Sequence, residues 1–362
     1  MHAHIHIYKP AMETASRNEQ HISIQTRDST HRLLLPDDTY AHSYAGNHPD
    51  DIRSAPPGTP LIICFHGSGE TCSPSWDDLA ARLVAETRCR VLLYDRGPGN
   101  LRAADVAAQM WDYVLGGAKT IRTEDKSSGS NLHGPYLLVA HSYGGAFARA
   151  FVEMEYLRLR GGRRGWCGMA RDKGNSNSNS NSDSGDHARD CVIGLVLVET
   201  GQEGGLEPAV DERQIQDTIM GDRPVCVIRG NSLLGKWREL ETRERTAQAG
   251  EENDDRGGDD ATAKVHMRQM LAAEREMLLC VDAEDERLKR RQLGLSRMSR
   301  FVQLSDCGHG VISQRPGDVV DAVRWVLDNA EGVHRGDEDG KEVSAWGWVV
   351  RRVRRLMTTH TI

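Results

Sequence analysis

Ser142 stands where a serine can act as a nucleophile. The residues before it, Tyr136 to Ala140, form an apolar run bounded upstream by Gly134-Pro135 and read as a buried strand. Beyond it, Phe147, Ala150, Phe151 and Met154 recur at spacings of three and four and share one helix face. A strand, a sharp turn with serine at its apex, then a helix is a nucleophile elbow, and the chemistry it serves is acyl transfer. Strand and helix approach closely at such a turn, so the residues two before and two after the serine must be small. Here they are Ala140 and Gly144, an A-x-S-x-G pattern one methyl group away from G-x-S-x-G. The helix start also aims its first amides and positive dipole end at the reaction centre.

Other segments fall in line around the elbow: His66-Gly67-Ser68-Gly69 and Tyr94-Asp95-Arg96-Gly97-Pro98-Gly99 before it, Cys307-Gly308-His309-Gly310 after it. In this order they make the chain resemble the serine hydrolases of the α/β-hydrolase fold superfamily. The resemblance implies an α/β architecture, a mostly parallel eight-stranded sheet with helices on both faces. It also implies a triad in the chain order serine, acid, histidine. Ser142 and His309 fill the two ends, His309 lying on a glycine-flanked loop directly after the last strand. His66 belongs to an earlier loop and His141 is the variable position of the elbow. The commonest place for the acid follows the glycine ending the penultimate strand, but the chain there reads Asn231-Ser232-Leu233-Leu234-Gly235-Lys236, without a carboxylate. Some members of the superfamily carry the acid one strand earlier, where Glu199 stands at a strand end; Glu199 is the expected acid. The backbone N–H groups of Ser68 and Tyr143 are the expected oxyanion hole, and His66, Gly67 and His141 are expected to face the substrate. Asp95 is expected to anchor its turn.

The elements that must position these groups are legible in the same way. Gln20 to Thr26 and His31 to Leu35 read as a hairpin, and residues 36–59 as a loop. Leu61 to Phe65, Val91 to Tyr94, Val192 to Val198, Pro224 to Ile228 and Arg300 to Leu304 read as strands. Trp76 to Glu86, Ala103 to Leu115 and Pro316 to Leu327 read as helices, with residues 118–134 as a polar link. Residues 203–223 leave room for a short helical lid. Val265 to Val281 and Glu284 to Leu293 also have helical spacing, with a methionine stripe expected in core or lid lining.

Composition sets the outer bounds. The 362 residues carry a formal charge of -7, which argues against nucleic acid as a partner. Hydrophobic content of 38% and a mean hydropathy of -0.56 reflect polar insertions diluting a core. The expected organisation is a flexible stretch over 1–20, a hydrolase-like domain over 21–328 and a tail over 329–362. The domain is interrupted by a disordered Asn/Ser-rich insertion at 161–190 and an acidic one at 240–263. In the tail, Trp346, Val349, Val350, Val353, Leu356 and Met357 lie beside four arginines. They fit a basic amphipathic helix, packed on the body or touching a membrane surface. No run suits a membrane span, and MHAHIHIYKP lacks the apolar core of a secretory signal. Eight scattered cysteines without a C-x-x-C fit reduced thiols and a cytoplasmic protein.

The expected function is hydrolysis of a small acyl substrate, a carboxylic ester, thioester, lactone or amide, without metal or cofactor. A serine at the apex argues against dehalogenase or epoxide hydrolase chemistry, which uses aspartate there in this fold. Three alternatives stay open: a proline-iminopeptidase-like peptidase, suggested by the YDRGPG turn; a catalytically degraded member acting as a binding module; and metal-dependent hydrolysis through His2, His4 and His6.

Overall fold

The computed structural model describes residues 4–7, 20–25, 30–36, 59–96, 102–120, 132, 134–161, 191–201, 205–252 and 261–334. Its strands are β1 (His4–Ile7), β2 (Gln20–Gln25), β3 (Thr30–Leu35), β4 (Leu61–Phe65), β5 (Arg90–Tyr94), β6 (Tyr136–His141), β7 (Val192–Val198), β8 (Val225–Arg229) and β9 (Ser299–Gln303). Among the described residues they form one nine-stranded sheet in the order β1-β2-β3-β5-β4-β6-β7-β8-β9. The first three strands join antiparallel, and every pair from β5 to β9 is parallel.

Helices cover both faces, so the central strands are apolar without interruption. Alternation still divides them. Ile62, Cys64, Leu137, Val139, Val196 and Ile228 pack on one face under α1 (Asp77–Thr87) and α8 (Pro316–His334). Leu61, Ile63, Phe65, Leu138, Ala140 and Leu197 pack on the other under α2 (Ala103–Thr120) and α3 (Gly144–Gly161).

Four expectations need correction. The sheet has nine strands, not eight, because His4–Ile7 pairs with β2 at the edge. The segment expected as an acidic insertion over 240–263 is helical through Glu252, as part of α5 (Leu234–Glu252). The two helices expected after it are one, α6 (Ala261–Arg291). α5 and α6 share a small core of Leu240, Leu271 and Leu278, flanked by ion pairs Arg243–Glu274 at 2.7 Å and Arg275–Glu244 at 2.5 Å. The methionine stripe is neither core nor lid lining: Met267, Met270 and Met277 are 47%, 50% and 56% exposed, because Leu271 and Leu278 take the face toward α5.

The short lid is α4 (Pro208–Gln216), and α7 (Val311–Gln314) precedes α8. α8 runs past the boundary placed at 328. The Asn/Ser-rich segment over 162–190, the Gly97-Pro98-Gly99 turn, His2 and the basic tail beyond 334 lie outside the described residues. No helix among the described residues is long and apolar enough to cross a membrane.

Candidate active site

The candidate residues gather at the carboxyl ends of the parallel strands, where α/β sheets place ligands. Ser142 follows the last residue of β6 and has φ of 52°, the left-handed region that an L-residue enters only under constraint. Two contacts impose it. The Ser142 N–H continues the sheet ladder by donating to Val198 O at 3.0 Å, and the Gly145 N–H donates back to Ser142 O at 3.0 Å to start α3. Gly144 explains the need for a small residue after the serine: a Cβ there would lie 2.2 Å from Phe65 O and 2.8 Å from His66 O.

The His66-Gly67 loop passes directly over this turn. A Cβ on Gly67 would approach the Ser142 Cβ to 3.1 Å. Arg96 fixes the loop by donating from its two terminal nitrogens to the carbonyls of His66, at 2.8 Å, and Gly67. Its guanidinium also lies 4.7 Å over the Phe147 ring of α3. His66 donates from Nδ1 to the Gly67 carbonyl at 2.9 Å, and burial, with Arg96 nearby, lowers its pKa. Asp95 accepts from the Cys72 N–H at 2.6 Å, tying the start of its loop to the one after β4.

Glu199 ends β7 as Ser142 ends β6, and its side chain is buried. Its Oε2 accepts from His309 Nδ1 at 3.0 Å and from Ser232 Oγ at 2.6 Å, while Oε1 accepts from the Gly230 N–H at 2.6 Å. Burial alone would raise the carboxyl pKa; the His309 hydrogen bond, Lys289, Ser232 and Gly230 together outweigh it and bring it down to about 2. The His309 loop is held beside the elbow by His141, whose Nε2 donates to His309 O at 2.9 Å and whose ring lies 4.8 Å from the His309 ring. On its other side His141 meets Glu70, with Nδ1 and Oε2 3.8 Å apart.

A cavity of about 190 Å³ opens at Ser142 and Tyr143. Its walls come from the start of α3, from Gly205 and Leu206, from α4, from Leu288 and Arg291 at the end of α6, and from Gln292 just after it. The far end is polar: Arg149 reaches Asp211 at 2.5 Å, and Arg291 binds the same carboxylate.

The sequence profile of the alpha/beta hydrolase family matches residues 62–322, most of the chain and all of these groups. The chain belongs to that family. The chain is also similar, at low identity, to several solved structures. Dienelactone hydrolase from Anabaena variabilis is 13% identical, with 87% of this chain and 95% of that one covered and a TM-score of 0.38. Est1E from Butyrivibrio proteoclasticus is 11% identical over 85% and 98%, with a TM-score of 0.40. The esterase RhEst1 from Rhodococcus sp. is 12% identical over 86% and 99%, with a TM-score of 0.39. No curated protein matches the sequence.

The structure of this alpha/beta hydrolase thus brings together Ser142, Tyr143, His141, His309, Glu199, His66 and Gly67, with Ser68 on the same loop. His4 and His6 lie far along the sheet order, in β1, and no cluster of three or more metal-ligating side chains occurs among the described residues. Three groups escaped the sequence reading. Arg96 carries a signal only as part of YDRGPG. Ser232 occupies the stretch scanned for a carboxylate and offers a hydroxyl to one instead. Lys289 belongs to a Lys-Arg-Arg run that reads as a solvated helix end.

Proposed function

We propose that this alpha/beta hydrolase cleaves carboxylic esters or related acyl substrates through an acyl-enzyme. Ser142 Oγ attacks the carbonyl carbon and His309 Nε2 takes its proton. Glu199, ionised, holds the imidazole by Nδ1 and balances the imidazolium. The N–H groups of Ser68 and Tyr143 receive the oxyanion. His309 then returns the proton to the leaving alcohol, and water, activated by the same imidazole, releases the acid. His66, Gly67 and His141 form the wall behind the reacting carbonyl. The observation that carries this reading is the 3.0 Å hydrogen bond from His309 to a buried carboxylate, on a loop that His141 pins beside Ser142.

The cavity is small for a ligand site, since sites for drug-sized molecules run to roughly 300–1,000 Å³. The reading therefore favours short acyl groups. A chain-length panel of p-nitrophenyl esters is the test, with wild type expected to turn over acetate and butyrate faster than octanoate and beyond. Ser142→Ala is expected to lose about a thousandfold or more in kcat/KM. Turnover by Ser142→Ala equal to wild type would end the assignment.

A further inference from the structure

The end of α6 reaches the back of Glu199, on the side away from His309. Lys289 is fully buried there, its Nζ 3.4 Å from Glu199 Oε1 and bonded to Asp285 one turn earlier. Asp285, also buried, accepts from Arg229 Nε at 2.8 Å, and Arg229 in turn reaches Asp282 at 2.6 Å. One turn beyond Lys289, Gln292 grips the residue after the acid: it accepts from Thr200 Oγ1 at 2.8 Å and donates to Thr200 O at 3.0 Å. A cation out of contact with water needs anionic partners, and Lys289 has two. Asp285 and Lys289, four residues apart, share one face of α6, and Gln292 opens the 3-10 turn that follows it.

Resting on the triad reading above, we propose that Lys289 is a positioning residue for catalysis. From the α5–α6 excursion, it holds the Glu199 carboxylate charged and in place while limiting how strongly that charge favours the His309 imidazolium. Among the described residues these charged and titratable groups surround the pair. His309, Lys289 and Cys307 face Glu199, and Asp285 lies behind Lys289 with Arg229 beyond it. Glu70 and His141 face the His309 ring from the elbow side. Lys289 is the cation of this set that lies against Glu199 on the side away from His309. Taking its charge away removes the cation against Glu199 while Asp285 keeps only Arg229, so the imidazolium becomes easier to form. Neutralising Asp285 has the opposite sign.

The test follows the acid limb of kcat/KM against pH, and in parallel the titration of the His309 ring by NMR in histidine-labelled protein, which needs no substrate. Lys289→Met is expected to move both midpoints to higher pH by roughly half a unit to one unit. Its kcat is expected to fall about tenfold with KM little changed. Lys289→Arg, which keeps the charge, is expected to return the midpoint toward wild type, and Asp285→Asn to move it to lower pH. Should Lys289→Met fail to fold, Asp285→Asn decides alone. Midpoints that stay put, or move against these signs, while the wild type titrates normally and Ser142→Ala is inactive, overturn the role of Lys289 and leave the triad standing. Full activity in Ser142→Ala would instead remove the reading beneath it.

Discussion

Ser142 and Glu199 stand next to each other at the ends of adjacent strands, and each has φ of 52°. Each also extends the ladder by one bond, Ser142 N–H to Val198 O at 3.0 Å and Glu199 N–H to Ile228 O at 2.9 Å. The sheet therefore holds both backbones in place as they turn left-handed, and the Glu199 side chain meets His309. Non-glycine residues in this conformation cost about 1–3 kcal/mol each.

The strain at the serine is measurable apart from chemistry. Ser142→Gly removes the Cβ that the left-handed backbone disfavours, whereas Ser142→Ala keeps it. The glycine variant is expected to be more stable than the alanine variant by about 1 kcal/mol in urea denaturation, with both inactive. Equal stabilities would mean that the turn is relaxed.

At Glu199 the charge matters as well as the position. Glu199→Gln keeps the shape but offers His309 an amide, and kcat is expected to fall by about 10³–10⁴. Stability gives a second readout. The folded carboxyl sits near 2 against an ordinary 4.5, so its contribution is complete above 4.5 and is lost as pH falls toward 2. Wild type is expected to lose stability more steeply than Glu199→Gln across that window, and parallel curves would contradict the assigned environment.

The parallel core was legible because β4 to β8 are buried on both faces, and continuous apolar runs are what such strands require. β1 was not: four residues alternating His and Ile at a sheet edge carry little information. α5 escaped because Arg, Glu and Lys dominate it, and only a few apolar residues, Trp237 and Leu240 among them, find partners. In the site, Ser142 and His309 announce themselves by the turns that carry them. Glu199 was reachable only through the resemblance, since a carboxylate at a strand end has no local signature. Lys289 was hidden more deeply, because its burial is decided by where α6 docks, a tertiary fact that its neighbours Arg290 and Arg291 disguise.

Gly144 tests the geometry of the elbow without touching its chemistry. A methyl group there meets backbone oxygens of β4 and the following loop, which cannot rotate away as a side chain can. Gly145→Ala comes nearest to Thr200 Cβ and Cγ2, at 2.7 Å, a milder approach than the 2.2 Å to Phe65 O at Gly144. Gly144→Ala is expected to lose about 3 kcal/mol or fail to fold, and Gly145→Ala to lose no more than about half of that. Comparable melting temperatures for the two variants would show that the strand-to-helix approach is looser than described.

Acid sensitivity should begin well above the Glu199 window, at His31. Its ring stacks on Tyr94 at 4.6 Å and tilts against Tyr113 at 4.8 Å. Burial lowers its pKa from 6.5 to about 4, with Asp95 opposing only in part. Because the unfolded chain takes up the proton first, stability is complete above 6.5 and falls as pH drops toward 4. His31→Phe keeps an aromatic ring between the tyrosines and removes the proton site. Between pH 7 and 4.5 wild type is expected to lose about 2 kcal/mol more than His31→Phe, read from urea midpoints at each pH. Identical slopes for the two proteins would mean that His31 takes up its proton as readily inside the fold as in the unfolded chain.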